Sequence, residues 1–200
     1  MCIGTFITRQ KETDILSRMG ALSTHLQRLF QQMKFTAKQP SNKLYRPLGL
    51  RYTSAPDRET AVLGFSGKFS FLSNFYTLQH PFEFAGLEFD SSERCYMWHK
   101  SDDADYKKQI MSAKSASACK RLGKTAQLVP GWEANRIELM YSILTEKFKM
   151  FEVLFSLMGT KDAYLEETNH WHDYFWGRCS GQGENHLGRL LMCVRQAGFK

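Results

Sequence analysis

Apolar residues along the chain follow two rhythms. Between Val62 and Phe89 they come close to alternation: VLGFSGKFSFLSNFY is broken by Gly and Ser, and PFEFAGLEFD repeats the pattern with Phe82, Phe84, Leu87 and Phe89 around Ala85-Gly86. Alternation places apolar side chains on one face of a strand. The first run therefore predicts short strands or a strand and loop, and the second a small hairpin. At SSERCYMWHK the period lengthens. Ser91 or Ser92 is a fitting N-cap, and Glu93 falls in the first turn of the helix that follows. Three- and four-residue spacing predicts further helices over Ala104–Leu122, Glu133–Phe148 and Phe151–Leu157, and a last one from about Leu187 to Gln196. Together they predict an α+β, mainly α fold: a compact, helix-rich single domain with a few short β-strands placed early.

Ahead of that body, Leu16, Met19, Leu22, Leu26, Leu29, Phe30 and Met33 recur at helical spacing, with Arg18, His25 and Arg28 among them. This predicts a basic amphipathic helix from Asp14 to about Lys34. Residues 36–60 hold three Pro, one Gly and several Ser and Thr, the composition of a linker. The expected division is an extension, residues 1–60, and a domain, residues 61–200.

Charge sharpens that division. The chain carries 27 basic and 20 acidic residues, but the first 60 hold 10 basic against 4 acidic, which leaves the body nearly neutral. Three uses fit the extension: a helix docked on the domain, a surface for nucleic acid phosphates, or an organelle-targeting presequence. Glu12 and Asp14 count against the last.

Composition excludes several classes. With 42% hydrophobic and 14% aromatic residues the chain can bury a core, so it is not a disordered protein. No apolar run approaches the roughly 18 residues a membrane span needs. The cysteines (Cys2, Cys95, Cys119, Cys179, Cys193) are odd in number and scattered, with no CxxC pair. That argues against a disulfide framework or a zinc ribbon and predicts a reducing, cytoplasmic compartment. Removal of Met1 would expose Cys2 as an N-terminal nucleophile, but a cysteine at a frayed terminus is the favoured reading.

Two constellations carry candidate chemistry. Glu93, Tyr96, Met97 and Lys100 stand at helical offsets of one face, which brings a carboxylate and an amine together with a tyrosine. The plain alternative is a first-turn Glu favoured by the helix dipole and an ordinary surface Lys. The second is HWHDYFWGRCSGQGENHLGRLLM, a Gly-rich loop with His170, His172, Asp173, Trp176, Arg178, Asn185 and His186 ahead of an apolar helix. Glycines let backbone N–H groups approach a ligand, and the aromatics offer stacking surface. A tight turn stitched by aromatics is the competing reading. Zinc on His170, His172 and Asp173 lacks an obvious fourth ligand, and the glycines match neither the dinucleotide fingerprint nor the P-loop.

Four blocks, in this order, resemble the NADAR superfamily of YbiA-like N-glycosidases: FLSNFY (71–76), FDSSERCYMWHK (89–100), DYFWG (173–177) and GENHLGRLLMCVR (183–195). The resemblance spans about residues 63–197. It implies hydrolysis of an N-glycosidic bond between ribose and an amine or base. The substrate would be a small phosphoribosylamino-pyrimidine intermediate of riboflavin synthesis, or ADP-ribose on guanine of nucleic acid. The family's acidic residue falls on Glu93 and its Lys on Lys100, the implied catalytic pair. Implied ligand contacts fall on Asn74, Phe75, Asp173, Trp176, Gly177, Gly183, Asn185, Leu187 and Gly188, with no metal and no redox cofactor.

Arg178 departs from the acidic or small residue that follows the W-G pair in many relatives; facing the ligand, it would favour an extra phosphate or change the accepted base. Trp98 stands where a polar residue is common and would add a stacking plate. Arg195 matches the family too, but reads first as a structural ion-pair partner. Lys100 has two expected roles, binding phosphate or the departing base, or attacking C1 as a neutral amine. Two other classes stay open: a binding module for ADP-ribose or nucleotides without hydrolysis, and a nucleic-acid-associated protein tethered by its extension.

Overall fold

The computed structural model describes residues 61–197. The helix expected over Asp14–Lys34 and the linker after it lie outside the described residues. The body is helix-rich with short strands, as the apolar rhythm predicts. Its helices are α1 (Ser92–Trp98), α2 (Ala104–Ser112), α3 (Ala116–Leu122), α4 (Trp132–Lys147), α5 (Phe151–Gly159) and α6 (His186–Ala197). The strands are β1 (Val62–Leu63), β2 (Phe82–Phe84), β3 (Leu87–Phe89), β4 (Leu165–Glu166), β5 (Thr168–Asn169) and β6 (Arg178–Cys179). They form three separate pairs: β1 with β4 in parallel, β2 with β3 across the Ala85-Gly86 turn, and β5 with β6 in parallel.

The centre is α1, whose seven residues are all buried. Ser91 caps it, its side chain accepting from the Arg94 backbone N–H at 3.3 Å. α1 packs against α2, α3 and α4, while α6 covers α4 and β4. Leu72, Phe89, Ile110, Met140, Ile143, Leu144, Phe148, Leu157, Leu165, Leu190 and Leu191 are fully buried. The apolar face of each helix supplies this core.

Three local differences from expectation have identifiable causes. The helix expected over Ala104–Leu122 is two helices. Ser115 caps the second by accepting from Ala118 N–H at 3.2 Å, which competes with continuing the first. Arg94 binds carbonyls freed at the end of α2, Ile110 O at 2.6 Å and Ala113 O at 2.9 Å, while its guanidinium also grips Asp90 at 2.8 Å. Residues Gly67–Leu72 form a 3-10 helix where strand was allowed. And β4, β5 and β6 come late in the chain, where two-residue strands leave too short an alternation to read.

Candidate active site

Glu93 enters its position from two directions. As a first-turn residue of α1 it meets the positive end of the helix dipole. Its backbone N–H donates to Asn74 O at 2.9 Å, which fastens the LSNF loop to the helix start. The side chain is 4% exposed, and Oε1 is buried with no hydrogen-bond partner. Burial raises its carboxyl to about 7, against the charges of Lys120 and Lys100 and with help from Asp173. A carboxyl divided between its two forms near neutral pH suits proton transfer.

Lys100 lies just past α1, because the helix ends at Trp98 with His99 as its C-cap. Its backbone N–H still bonds back to Met97 O at 3.1 Å, closing the last turn. Lys100 Nζ donates to Gly123 O at 2.7 Å and lies 5.9 Å from the Trp132 ring centre. Burial lowers its amine; Glu93 and Glu133 oppose that, and Arg136 and Lys120 add to it. Lys120 on α3 lies 5.3 Å over the Phe75 ring.

Asn74 is buried, and its Oδ1 has no partner. An orphaned amide oxygen and an orphaned carboxyl oxygen on adjoining segments are what a site leaves open for a polar ligand. The loop holding Asn74 is gripped from below by Lys147, which is fully buried and donates to Phe71 O and Ser73 O, both at 2.9 Å.

The second loop is organised by side chains that bond to backbone. Asp173 Oδ1 accepts from Phe175 N–H at 3.2 Å and Trp176 N–H at 2.9 Å, an Asx turn that presents the aromatics. Buried Asn169 ties that turn together, donating to Asp173 O at 2.8 Å and accepting from Asp173 N–H at 3.1 Å. Trp176 meets Tyr96 edge-on at 5.4 Å, and Tyr96 meets Trp132 at 4.9 Å. The Arg136 guanidinium stacks on Phe175 at 3.5 Å. A β-carbon on Gly177 would strike Glu167 O, and one on Gly188 would strike Leu165 O, so glycine allows both close approaches.

The family model for the NADAR domain matches residues 64–197. The chain belongs to the NADAR family. It is 36% identical over 130 residues to a riboflavin biosynthesis protein of Vibrio vulnificus, covering 63% of this chain and 35% of that protein. It is 33% identical over 144 residues to the chloroplastic riboflavin biosynthesis protein PYRR of Zea mays, covering 64% of this chain and 23% of that one. The N-glycosidase YbiA of Escherichia coli is 30% identical over 120 residues, 58% of this chain and 74% of YbiA. The chain thus spans about a third or less of the two riboflavin proteins. The solved NMR structure of E. coli YbiA superposes with a TM-score of 0.63 at 27% identity, covering 73% of this chain and 89% of that one.

Within the NADAR domain, the residues singled out from sequence divide by what they touch. Lys100 and Asp173 both act on the charge of Glu93, and Asn74 O accepts from the Glu93 N–H; Phe75 lies under Lys120, and Trp176 meets Tyr96 of α1. Asn185 is buried: Oδ1 accepts from Glu167 N–H at 3.0 Å, and Nδ2 donates to Leu165 O at 2.9 Å and Tyr164 Oη at 3.1 Å. Its amide holds the strand. Arg178 pairs with Glu166 at 3.2 Å and donates to Gly181 O. Trp98 is buried against Phe89 and His99, with Lys107 Nζ 4.1 Å over its ring. Leu187 is core, whereas Gly183 is exposed.

Of the described zinc candidates, His170 is exposed and His172 Nδ1 meets Tyr174 Oη at 3.0 Å. Among the described residues no three His, Cys, Asp or Glu side chains are placed to hold a metal ion, and no helix is long and apolar enough to cross a membrane. Four residues of the site were not singled out from sequence: Lys120, Arg136, Asn169 and Glu167. Glu167 Oε2 is buried without a partner, and burial raises its carboxyl to about 7, with Asp173 adding to the rise and Lys120 opposing it.

Proposed function

We propose that this chain is an N-glycosidase that hydrolyses the bond between a ribose, phosphoribosyl or ADP-ribosyl, and an amine or nucleobase. The observation that carries this is Glu93: a buried carboxyl with an open oxygen, held near half-ionisation beside Lys100, Lys120 and Asp173. Membership of the NADAR family and similarity to a protein named N-glycosidase support the bond type. The relatives named for riboflavin biosynthesis support a phosphoribosylamino-pyrimidine as one substrate class.

The chemistry fits the groups present. Cleaving a ribosyl C–N bond builds positive charge on the sugar ring. The carboxylate form of Glu93 stabilises that charge and takes a proton from the attacking water. Lys100 has two chemically distinct uses. As an ammonium it holds a phosphate or the departing base; as a neutral amine it attacks C1 of an opened ribose. Burial and the nearby cations Arg136 and Lys120 favour the neutral form, while Glu93 and Glu133 favour the charged one. Trp176 and Phe75 stack on the base, and Asn74 Oδ1 accepts from a ribose hydroxyl.

The test is a substrate panel with purified protein: phosphoribosylamino-pyrimidines, ADP-ribosylated guanosine and DNA, and NAD, with free sugar read by mass spectrometry. Release of ribose 5-phosphate places the substrate among phosphoribosylamines, and release of ADP-ribose places it among modified bases. Ligand bound with no product from any member would contradict the enzyme reading.

A further inference from the structure

We infer that Lys120 is a substrate-binding residue, the cation that takes the phosphate carried on the ribose. This rests on the N-glycosidase reading and deepens it. A phosphoribosyl and an ADP-ribosyl group share a phosphate on the sugar, and its assignment to Lys120 leaves Lys100 to the reacting carbon or the departing base.

Contacts on both sides place Lys120 at the site. α3 closes on α1 at Gly123, where a β-carbon would strike Met97 Sδ. Gly123 is also the C-cap of α3: its N–H donates to Cys119 O at 2.8 Å, and its carbonyl accepts from Lys100 Nζ at 2.7 Å. Lys120 stands in the last turn of the same helix. Its Nζ lies 5.3 Å over the ring of Phe75. Phe75 follows Asn74, whose carbonyl accepts from Glu93 N–H at 2.9 Å. Lys120 therefore reaches from the helix that anchors Lys100 to the loop fastened to Glu93.

Its polar surroundings single it out. Lys100, Lys107, Lys120 and Lys147 are the described lysines drawn out of open solvent. Three of them have oxygen partners: Gly123 O for Lys100, Asp102 at 3.1 Å for Lys107, and Phe71 O and Ser73 O for Lys147. Lys120 donates to no oxygen among the described residues, and its ammonium meets the Phe75 ring alone. The helix dipole favours a cation in the last turn of α3, but exposed Arg121 already supplies one. A half-buried ammonium without an acceptor is costly until an anion completes it. The open atoms on the adjoining segments are of the opposite kind. Asn74 Oδ1 and the carboxylate Glu93 Oε1 are orphaned acceptors, which suit the hydroxyls of a sugar. A lysine only donates, and the anionic part of either sugar group is its phosphate. Burial raises the Glu93 carboxyl, and Lys120 is the foremost charge opposing that rise, as an ammonium close to it would be.

The experiment measures binding of ribose, ribose 5-phosphate and ADP-ribose to wild type, Lys120→Met and Lys120→Arg by calorimetry. Methionine keeps the stem over Phe75 and removes the charge. Loss of a charge-assisted contact is expected to weaken ribose 5-phosphate and ADP-ribose by about 10–100-fold in Lys120→Met. Ribose should lose far less, and Lys120→Arg should recover most of the phosphate affinity. The tighter of the two phosphorylated ligands on wild type distinguishes a monoester from a diphosphate as the source of the phosphate. Should the variant not fold, wild type titrated with inorganic phosphate gives an independent reading. The Phe75 ring protons, under Lys120, should shift, and those of Trp98, under the Asp102-paired Lys107, should not. Equal losses for ribose and ribose 5-phosphate, or a Phe75 ring indifferent to phosphate, would overturn the role of Lys120 and leave the glycosidase reading standing. Wild type that binds these phosphates through Lys120 yet cleaves no ribosylated amine or base would overturn the glycosidase reading alone.

Discussion

Lys100 and Lys147 are both drawn away from open solvent, and only Lys100 acts on the charge of Glu93. Lys147, on α4, is fully buried, and burial drives its amine down to about 7 against the charge of Glu152. Lys100 is only half-buried, and its amine is lowered by burial in the same direction. Their partners differ. Lys147 bridges two carbonyls of one loop, whereas Lys100 holds a single carbonyl and faces Glu93, whose Oε1 is unpartnered. A depressed amine is therefore not a mark of function by itself. The mark is a neighbouring group that the protein has left unsatisfied.

The sharpest way to break that comparison is to remove each amine. Lys100→Met is expected to lower turnover by roughly 10³-fold. Its effect on stability should be about 1 kcal/mol, the cost of leaving Gly123 O without its donor. Lys100→Arg divides the two roles of the amine. Arginine keeps the charge but cannot form the covalent adduct, so retained turnover would remove the covalent route. Lys147→Met should act the other way, on stability first. It strands two carbonyls, at a cost of about 3 kcal/mol.

That loss has a pH signature. The folded Lys147 amine sits near 7, below its ordinary 10.5, so its stabilisation is complete above the higher value and fades as pH falls towards 7. Chemical denaturation at pH 10 and pH 7 should show a larger deficit for Lys147→Met at pH 10. The reverse order would mean that the amine is charged in the fold. Because its loop carries Asn74, the same variant should raise KM more than it lowers kcat. The smallest effect belongs to a third lysine. Lys108 pairs with Asp105 in open solvent, and Lys108→Ala should move stability by less than about 0.5 kcal/mol, with kinetics unchanged.

Much of the fold was legible because its cause is local. The β2–β3 hairpin and α4 through α6 follow from period, and the start of α1 from the Ser91 cap. The Asp173 turn has an equally local cause, an Asx geometry among three neighbouring residues, although the sequence implies a ligand contact at Asp173. What escaped depends on distant parts of the chain. Lys147 reads as an ordinary polar residue near the end of α4; only the approach of Phe71 and Ser73, more than 70 positions away, makes it a strut. Glu167 follows Glu166 in an acidic pair that looks solvated, yet its Oε2 is shut away from solvent and its backbone N–H is held by Asn185, 18 positions on. Lys100 lies on the final turn beyond α1, so its spacing from Glu93 is local, but its hydrogen bond to Gly123 O, 23 positions away, depends on tertiary packing.

The measurement that tests the account most directly takes activity and stability from the same Glu93→Gln sample. Burial holds the folded Glu93 carboxyl near 7, above its ordinary 4.5, so its contribution to stability is full below 4.5 and lost as pH rises through 7. Glutamine removes that cost. At pH 8 the variant should be more stable than wild type by roughly 1–3 kcal/mol, with the gain gone below pH 4.5. N-glycosidic cleavage should fall by 10³-fold or more on the order expected for a lost carboxylate. A variant that is stabilised but nearly as active as wild type would contradict the central claim that the buried Glu93 carboxyl performs the chemistry.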